Sequence, residues 1–325
     1  MNPIQPITTQ VPEISVTTPV SQAIDQVKRV LFQPFDAGKW LVIGFCAWLA
    51  HLCEQGFNPG MNFGSFNGGH GRGGIRHEFD QAKDYVTGNL YWIGPLVVAL
   101  VVVGLVLWVL FTWLNSRGKF MFLHCVALNV AEVSVPWRKF AREGNSLCVF
   151  RLVLGLVGSL LTLPLVALMV VAIFRMVRAG EPSVGGIALA AGALLTLIAL
   201  GLVFAGIGKL TTDFVVPIMF LRRTKCLAGW RELRGLLSAN LGNLILYLLF
   251  QIVLAIVLGI LVMFVVLVTC CLAGCLLALP YLGTVLLLPV LMFERAYSAY
   301  YLAQFGREFD VFAPAPATEA TPSVA

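Results

Sequence analysis

Apolar residues run along this chain in long blocks rather than alternating with polar ones. The clearest block, residues 96–110, reads LVVALVVVGLVLWVL and lies inside a longer run from Leu90 to Leu114. An α-helix needs about 20 apolar residues to cross roughly 30 Å of hydrocarbon. Blocks of this kind fall near 38–56, 90–114, 149–174, 186–208, 243–268 and 272–293. The pattern predicts an all-α fold, a polytopic membrane bundle of six transmembrane helices. The first block is the shortest. Its apolar part, Trp40 to Cys53, spans only if Lys39 and Glu54 reach up to the headgroups. The last two blocks form one apolar stretch from Leu244 to Phe293, far too long for a single crossing, and are expected to fold back near 269–274.

Composition agrees. Hydrophobic residues make up 59% of the chain, charged residues 12%, and the mean hydropathy is +0.88. A soluble domain carries about 25% charged residues, so an ordinary soluble enzyme is excluded. Residues 1–20 are polar and Thr/Pro-rich, and 313–325 are Ala/Pro/Thr-rich. Both are expected to be disordered tails on one membrane domain, 21–312. No basic start followed by an apolar core opens the sequence, so the first span is expected to act as its own insertion signal.

Charge then orients the spans. Most of the 22 Lys and Arg fall in the N-terminal segment, the 115–148 and 209–242 connections and the C-terminal segment. The other side holds only Arg72, Arg76, Lys83, Arg175 and Arg178. The positive-inside rule places both termini in the cytoplasm of a bacterial inner membrane.

The two basic connections echo each other. Met121-Phe122-Leu123 precedes Gly144-Asn145, and Met219-Phe220-Leu221 precedes Gly242-Asn243, with Trp137-Arg138 and Trp230-Arg231 between. A third pair, Met292-Phe293, ends the last block. Ser134 reads as a helix cap, Pro136 as a first-turn residue and Gly144 as the stop. Cytoplasmic interfacial helices are therefore expected, with Trp137, Arg138, Lys139, Arg142, Trp230, Arg231 and Arg234 at the lipid headgroups.

Signals for chemistry are sparse. The cores of the later spans hold no Asp, Glu, Lys or His, which argues against ion-coupled transport. Asp213 is the one acid in an apolar stretch. It forms a candidate polar site with Arg222, Arg223 and Gln251, and Lys209 is a further pairing option. His51 and Glu54 share a helix face, and His70 and His77 lie in a Gly-rich loop, yet no ligand set for a metal emerges. Cys53 and the group Cys270, Cys271 and Cys275 could pair externally; the remaining cysteines read as apolar fillers. Small residues such as Ala188 and Gly192, Gly274 and Ala278, and Gly155, Gly158, Gly201 and Gly206 suggest close helix packing.

The six-span layout, the segments around Trp137-Arg138 and Trp230-Arg231 and the Met-Phe span ends together resemble a group of uncharacterised bacterial membrane proteins. These are similar to the membrane domain that precedes the catalytic domain of some glycerophosphodiester phosphodiesterases. That catalytic barrel is absent here, so the resemblance carries over no activity. The expected function is non-enzymatic: to organise lipid or assist a membrane complex. The expected partners are membrane lipids, anionic ones included, and a second copy or another membrane protein. Neither cofactor nor nucleic acid is expected. The alternative is a transporter or channel built from repeated hairpins, for which a continuous polar cavity reaching Gln251 and Thr162 would speak.

Overall fold

The computed structural model describes residues 14–55, 88–179, 183–269, 272–277 and 279–313. The expected tails before residue 14 and after 313, the Gly-rich loop with His70 and His77, and Cys270 and Cys271 lie outside the described residues, as does the side chain of Cys53. Among the described residues the chain is all-helical. Helix α1 (Thr18–Val27) runs on through a π-turn to Phe32, and α2 spans Ala37–Gln55. The long α3 (Leu90–Leu128) leads through the short α4 (Ser134–Lys139) into α5 (Ala141–Ala179). Then come α6 (Val184–Leu210), a π-turn (Thr211–Val215), α7 (Val216–Arg222), α8 (Cys226–Ala239) and α9 (Leu241–Val268). Three further α-helices, α10 (Leu272–Leu277), α11 (Pro280–Leu286) and α12 (Leu288–Ala303), precede a 3-10 turn at Arg307–Phe309.

Among the described residues, four helical segments are long and apolar enough to cross a bilayer: Tyr91–Leu128, Ala141–Met176, Val184–Arg222 and Leu241–Val268. A fifth exists if α11 and α12 count as one span, although they meet at a 64° bend. Leu287 leaves the helical conformation there, and Pro289 follows with no N–H to continue the ladder. Of the six expected spans, four or five are thus present by length and composition among the described residues. The first block forms α2, but its apolar segment, Ala37–Leu52, is short. It packs antiparallel along the far half of α3. Lys39 Nζ donates to Asn129 Oδ1 at 2.6 Å, Cys46 and Cys125 bring their sulfurs to 3.8 Å, and Asn115 Nδ2 donates to the Ala50 carbonyl at 2.7 Å.

The core sits where the apolar blocks end. Phe120 to Leu123 of α3, Phe214 to Met219, and Ala296 and Tyr297 of α12 are buried together with Val30, Leu31 and Ile43. At most 6% of each apolar window in the four long segments is buried, the state expected of surfaces that lipid covers. The molecule is therefore a packed helical body from which apolar helices project. The Met-Phe echo acquires a cause here: all three Met residues, Met121, Met219 and Met292, are fully buried in this body. Two of the helices that carry them end on a left-handed residue, Asn129 (φ 57°) and Arg223 (φ 54°), which turns the chain into α4 and α8.

Local details depart from the sequence expectation. Ser134 stands inside the first turn of α4, and Val133 is the cap residue. The break before α5 falls at Phe140 rather than Gly144. Gly144 is needed for a different reason: a Cβ there would lie 2.9 Å from Arg117 Cγ, so the glycine lets the Arg117 side chain cross α5. Gly155 likewise admits the Trp108 ring, but Gly192, Gly201 and Gly206 have nothing within 4 Å, so close packing at those three is not seen among the described residues. At the N-terminal end the chain is tied down from Ser15 onward. Its N–H donates to Gln304 Oε1 at 2.8 Å, and Gln304 Nε2 returns a bond to the Ser15 carbonyl at 2.9 Å.

Candidate functional site

The π-turn after α6 builds the centre of the site. A π-turn widens the helix and frees backbone groups from the regular ladder. Here the freed Thr212 carbonyl accepts from Arg295 Nη1 at 2.5 Å, and the Thr212 hydroxyl accepts from Lys119 Nζ at 2.7 Å. The next residue, Asp213, is buried. Its Oδ2 lies 3.2 Å from Lys209 Nζ and accepts from the Tyr247 hydroxyl at 2.9 Å. Gln251 Nε2 donates to that hydroxyl in turn, at 2.8 Å. Rings wall off the other side, with Tyr247 centroids at 4.8 Å from Phe214 and 4.5 Å from Tyr301.

A cavity of about 380 Å³ opens beside this network. Its charged lining is Lys119, Arg151, Lys209 and Arg295 with Asp213 and Glu294. Ala50, Phe122, Ala205 and Leu291 supply apolar wall, and His51 lines it too, its Nδ1 2.8 Å from the Ala47 carbonyl. Lys119 is 4% exposed and Arg295 7%, so these two form the deep end; Arg151, Lys209 and Glu294 are half-buried nearer the mouth. Arg151 also donates to Asn115 Oδ1, whose amide holds α2.

The expected polar set therefore divides. Asp213 and Gln251 meet through Tyr247, and Lys209 is the cation at Asp213. Arg222 and Arg223 belong elsewhere. Arg222 Nη2 lies 3.1 Å from Glu232 Oε1 and 2.6 Å from Glu308 Oε2. Arg223 stacks 4.5 Å above the Phe140 ring, donates to the Lys139 carbonyl and lies 3.5 Å from Glu143. The sequence reading did not single out Glu294 and Arg295 for the site. A signal existed: Lys119, Arg151, Lys209, Glu294 and Arg295 all lie within a turn or two of an apolar block's end, on four helices. Only the fold brings those ends together.

The interfacial set divides as well. Trp137 is half-buried, its ring edge-on to Trp113 at 5.5 Å, and the Arg117 guanidinium lies 4.5 Å and 4.9 Å from the two rings. Asn145 Oδ1 accepts from both Trp113 Nε1 and Arg117. Arg138, Lys139 and Arg142 are exposed beside this cluster, as are Arg231 and Arg234 on α8. Trp230 turns inward instead and packs 6.1 Å from Phe150. Among the described residues no group of three His, Cys, Asp or Glu is placed to hold a metal ion.

Cys226 opens α8 with its side chain buried and its N–H on the Ser146 hydroxyl at 3.0 Å. Burial pushes its thiol up to about 12, against the opposing pull of Arg151. A thiolate is the reactive form, so alkylation of the folded protein at pH 8 should be roughly a thousandfold slower at Cys226 than after denaturation. Mass spectrometry of the labelled peptide checks this; equal rates before and after denaturation would contradict the burial.

These features define an all-helical, multi-pass membrane protein with a packed body at one end of its apolar helices and a cationic cavity in that body. The chain belongs to a family of unknown function, DUF7544, whose family model matches residues 14–303. No curated protein and no solved structure matches it. These comparisons carry no link to the glycerophosphodiester phosphodiesterases that the sequence resembled.

Proposed function

We propose that this chain is a non-enzymatic protein of the bacterial inner membrane that organises anionic lipid at the cytoplasmic face through its interfacial helices. In this reading the membrane domain makes six crossings, the first of them borne by α2, and both ends lie in the cytoplasm. The Ser15–Gln304 pairing supports an even number of crossings, because it joins the two ends of the described chain at one face.

The observation that carries the reading is the Trp113–Arg117–Trp137 cluster. It sits at the point where the exposed apolar part of α3 enters the body, with Arg138, Lys139 and Arg142 exposed beside it. Aromatic rings favour the headgroup boundary, and each cation near an anionic surface contributes about 1 kcal/mol. The transporter alternative draws less support. The cavity lining includes neither Gln251 nor Thr162: the Gln251 amide is engaged with Tyr247, and the Thr162 hydroxyl is 3.4 Å from the Ser159 carbonyl.

The test is mass spectrometry of lipids retained by the full chain in native nanodiscs. The variant Arg138→Ala, Arg142→Ala, Arg231→Ala, Arg234→Ala should lose most of its retained anionic lipid. Unchanged retention would sink the reading.

A further inference from the structure

We infer that the cavity among α2, α3, α5, α6 and α12 is a binding site for a phosphate group carried on a hydroxylated headgroup, that of an anionic amphiphile. This rests on the membrane reading above but not on the interfacial helices, which form a separate surface. Four basic side chains line the cavity against two carboxylates, so the lining has an excess of positive charge even with both acids ionised. Asp213 is also the acid least available to repel an anion, because Lys209 and the Tyr247 hydroxyl both hold its Oδ2.

Lys119 and Arg295 make the deep end. An ammonium and a guanidinium so nearly buried are costly to keep charged. Their hold on Thr212 orients both inward on the same turn, where a phosphate's oxygens could accept from each. Arg151 and Lys209 add cationic reach nearer the mouth. Glu294, on the same lining, is an acceptor for headgroup hydroxyls and disfavours a second phosphate. A volume of about 380 Å³ lies at the low end of small-molecule sites, which run from roughly 300 to 1,000 Å³, and suits a headgroup rather than a whole lipid.

The surroundings supply a place for the chains of an amphiphile. Leu202 and Val203 of α6, 70% and 58% exposed, stand within two turns of Lys209, about 10 Å along the helix. Ala205 of the pocket wall lies three residues from Leu202 on the same face of α6, so the cationic pocket adjoins this surface.

The experiment uses the full chain in phosphatidylcholine nanodiscs, titrated with phosphatidylglycerol and read by native mass spectrometry. Glycerol 3-phosphate and inorganic phosphate serve as soluble competitors. The wild type should retain phosphatidylglycerol saturably. The double variant Arg151→Gln, Lys209→Gln should bind it about tenfold or more weakly, the loss expected for removed charge-assisted hydrogen bonds. These two residues are half-buried, so the variant tests the site even if Lys119→Gln proves unable to fold. The variant Gly192→Ala, on α6 far from the pocket and with nothing within 4 Å of its added Cβ, should leave this saturable component unchanged.

Competition by glycerol 3-phosphate identifies the lipid headgroup as the source of the phosphate. Saturable binding of inorganic phosphate without lipid preference supports the same pocket with a free anion as its ligand. Absence of saturable binding of all three probes overturns the inference, as does wild-type affinity in the Arg151/Lys209 variant. Lipid loss confined to the α4 and α8 variants would leave the interfacial function standing and remove the pocket.

Discussion

Replacing Tyr247 with Ala should cost more stability than any other single change considered. Tyr247 is fully buried, its ring is packed against Phe214, Tyr297 and Tyr301, and its hydroxyl joins Asp213 to Gln251. Truncating a large buried aromatic costs about 3–5 kcal/mol. Leaving a buried acceptor and donor without their shared partner adds about 1–3 kcal/mol. Against a net stability of roughly 5–15 kcal/mol, that is enough to unfold much of the body. Tyr247→Phe separates the two contributions, since it keeps the ring and removes only the hydroxyl; about 1–3 kcal/mol is expected. Unfolding in mild detergent, followed by tryptophan fluorescence, measures both. A Tyr247→Ala protein within about 1 kcal/mol of wild type would show that the aromatic cluster is not what anchors α9 to the body.

The second large effect is expected at Gly118, at the crossing of α2 and α3. A Cβ at that position would lie 2.5 Å from the Leu49 carbonyl carbon and 2.6 Å from the Ala50 nitrogen. Both are backbone atoms, so no side-chain rotation relieves the clash and the helices must separate. Gly→Ala inside a helix gains up to about 1 kcal/mol in propensity, whereas overpacking costs about 1–3 kcal/mol. The clash wins, and Gly118→Leu should be worse than Gly118→Ala. Separation would also draw Ala50 and His51 away from Lys119 across the cavity. Gly192→Ala is the control: nothing lies within 4 Å, so the propensity gain should stand alone, at roughly 0.5–1 kcal/mol. Equal melting behaviour of the Gly118→Ala and Gly192→Ala proteins would refute the close crossing.

The membrane character, the helical class and the position of most long helices were legible in the sequence, because hydrocarbon imposes a length and an apolarity that local composition records. The span count was harder. Residues 40–53 are apolar enough to suggest a crossing, yet in the fold Ile43, Cys46 and Ala47 face protein rather than lipid. Composition cannot separate a lipid-facing helix from one buried on several sides. Asp213 was recognisable as unusual, and Lys209 at i−4 was a legible partner. Its tie to Gln251 through Tyr247 was not, since it depends on how α9 packs against the π-turn. The cavity was hidden for a related reason: Lys119, Arg151, Lys209 and Arg295 each look like the ordinary basic end of a span. Their meeting is a property of tertiary structure alone.

The clasp between Ser15 and Gln304 bears on how the chain is made. Helix α1 rests chiefly on α12, and Tyr297 reaches back to the Val16 carbonyl at 3.1 Å. Helix α1 is therefore made long before α12, the helix on which it seats. Contacts between such distant positions form late and carry a high loop-closure cost. A nascent chain stopped before Leu288 would already hold its four longest apolar helices, yet Ala23 and Val27 would lack the helix that covers them. Such an intermediate exposes apolar surface that α12 later covers, the condition under which partly folded chains aggregate or engage chaperones.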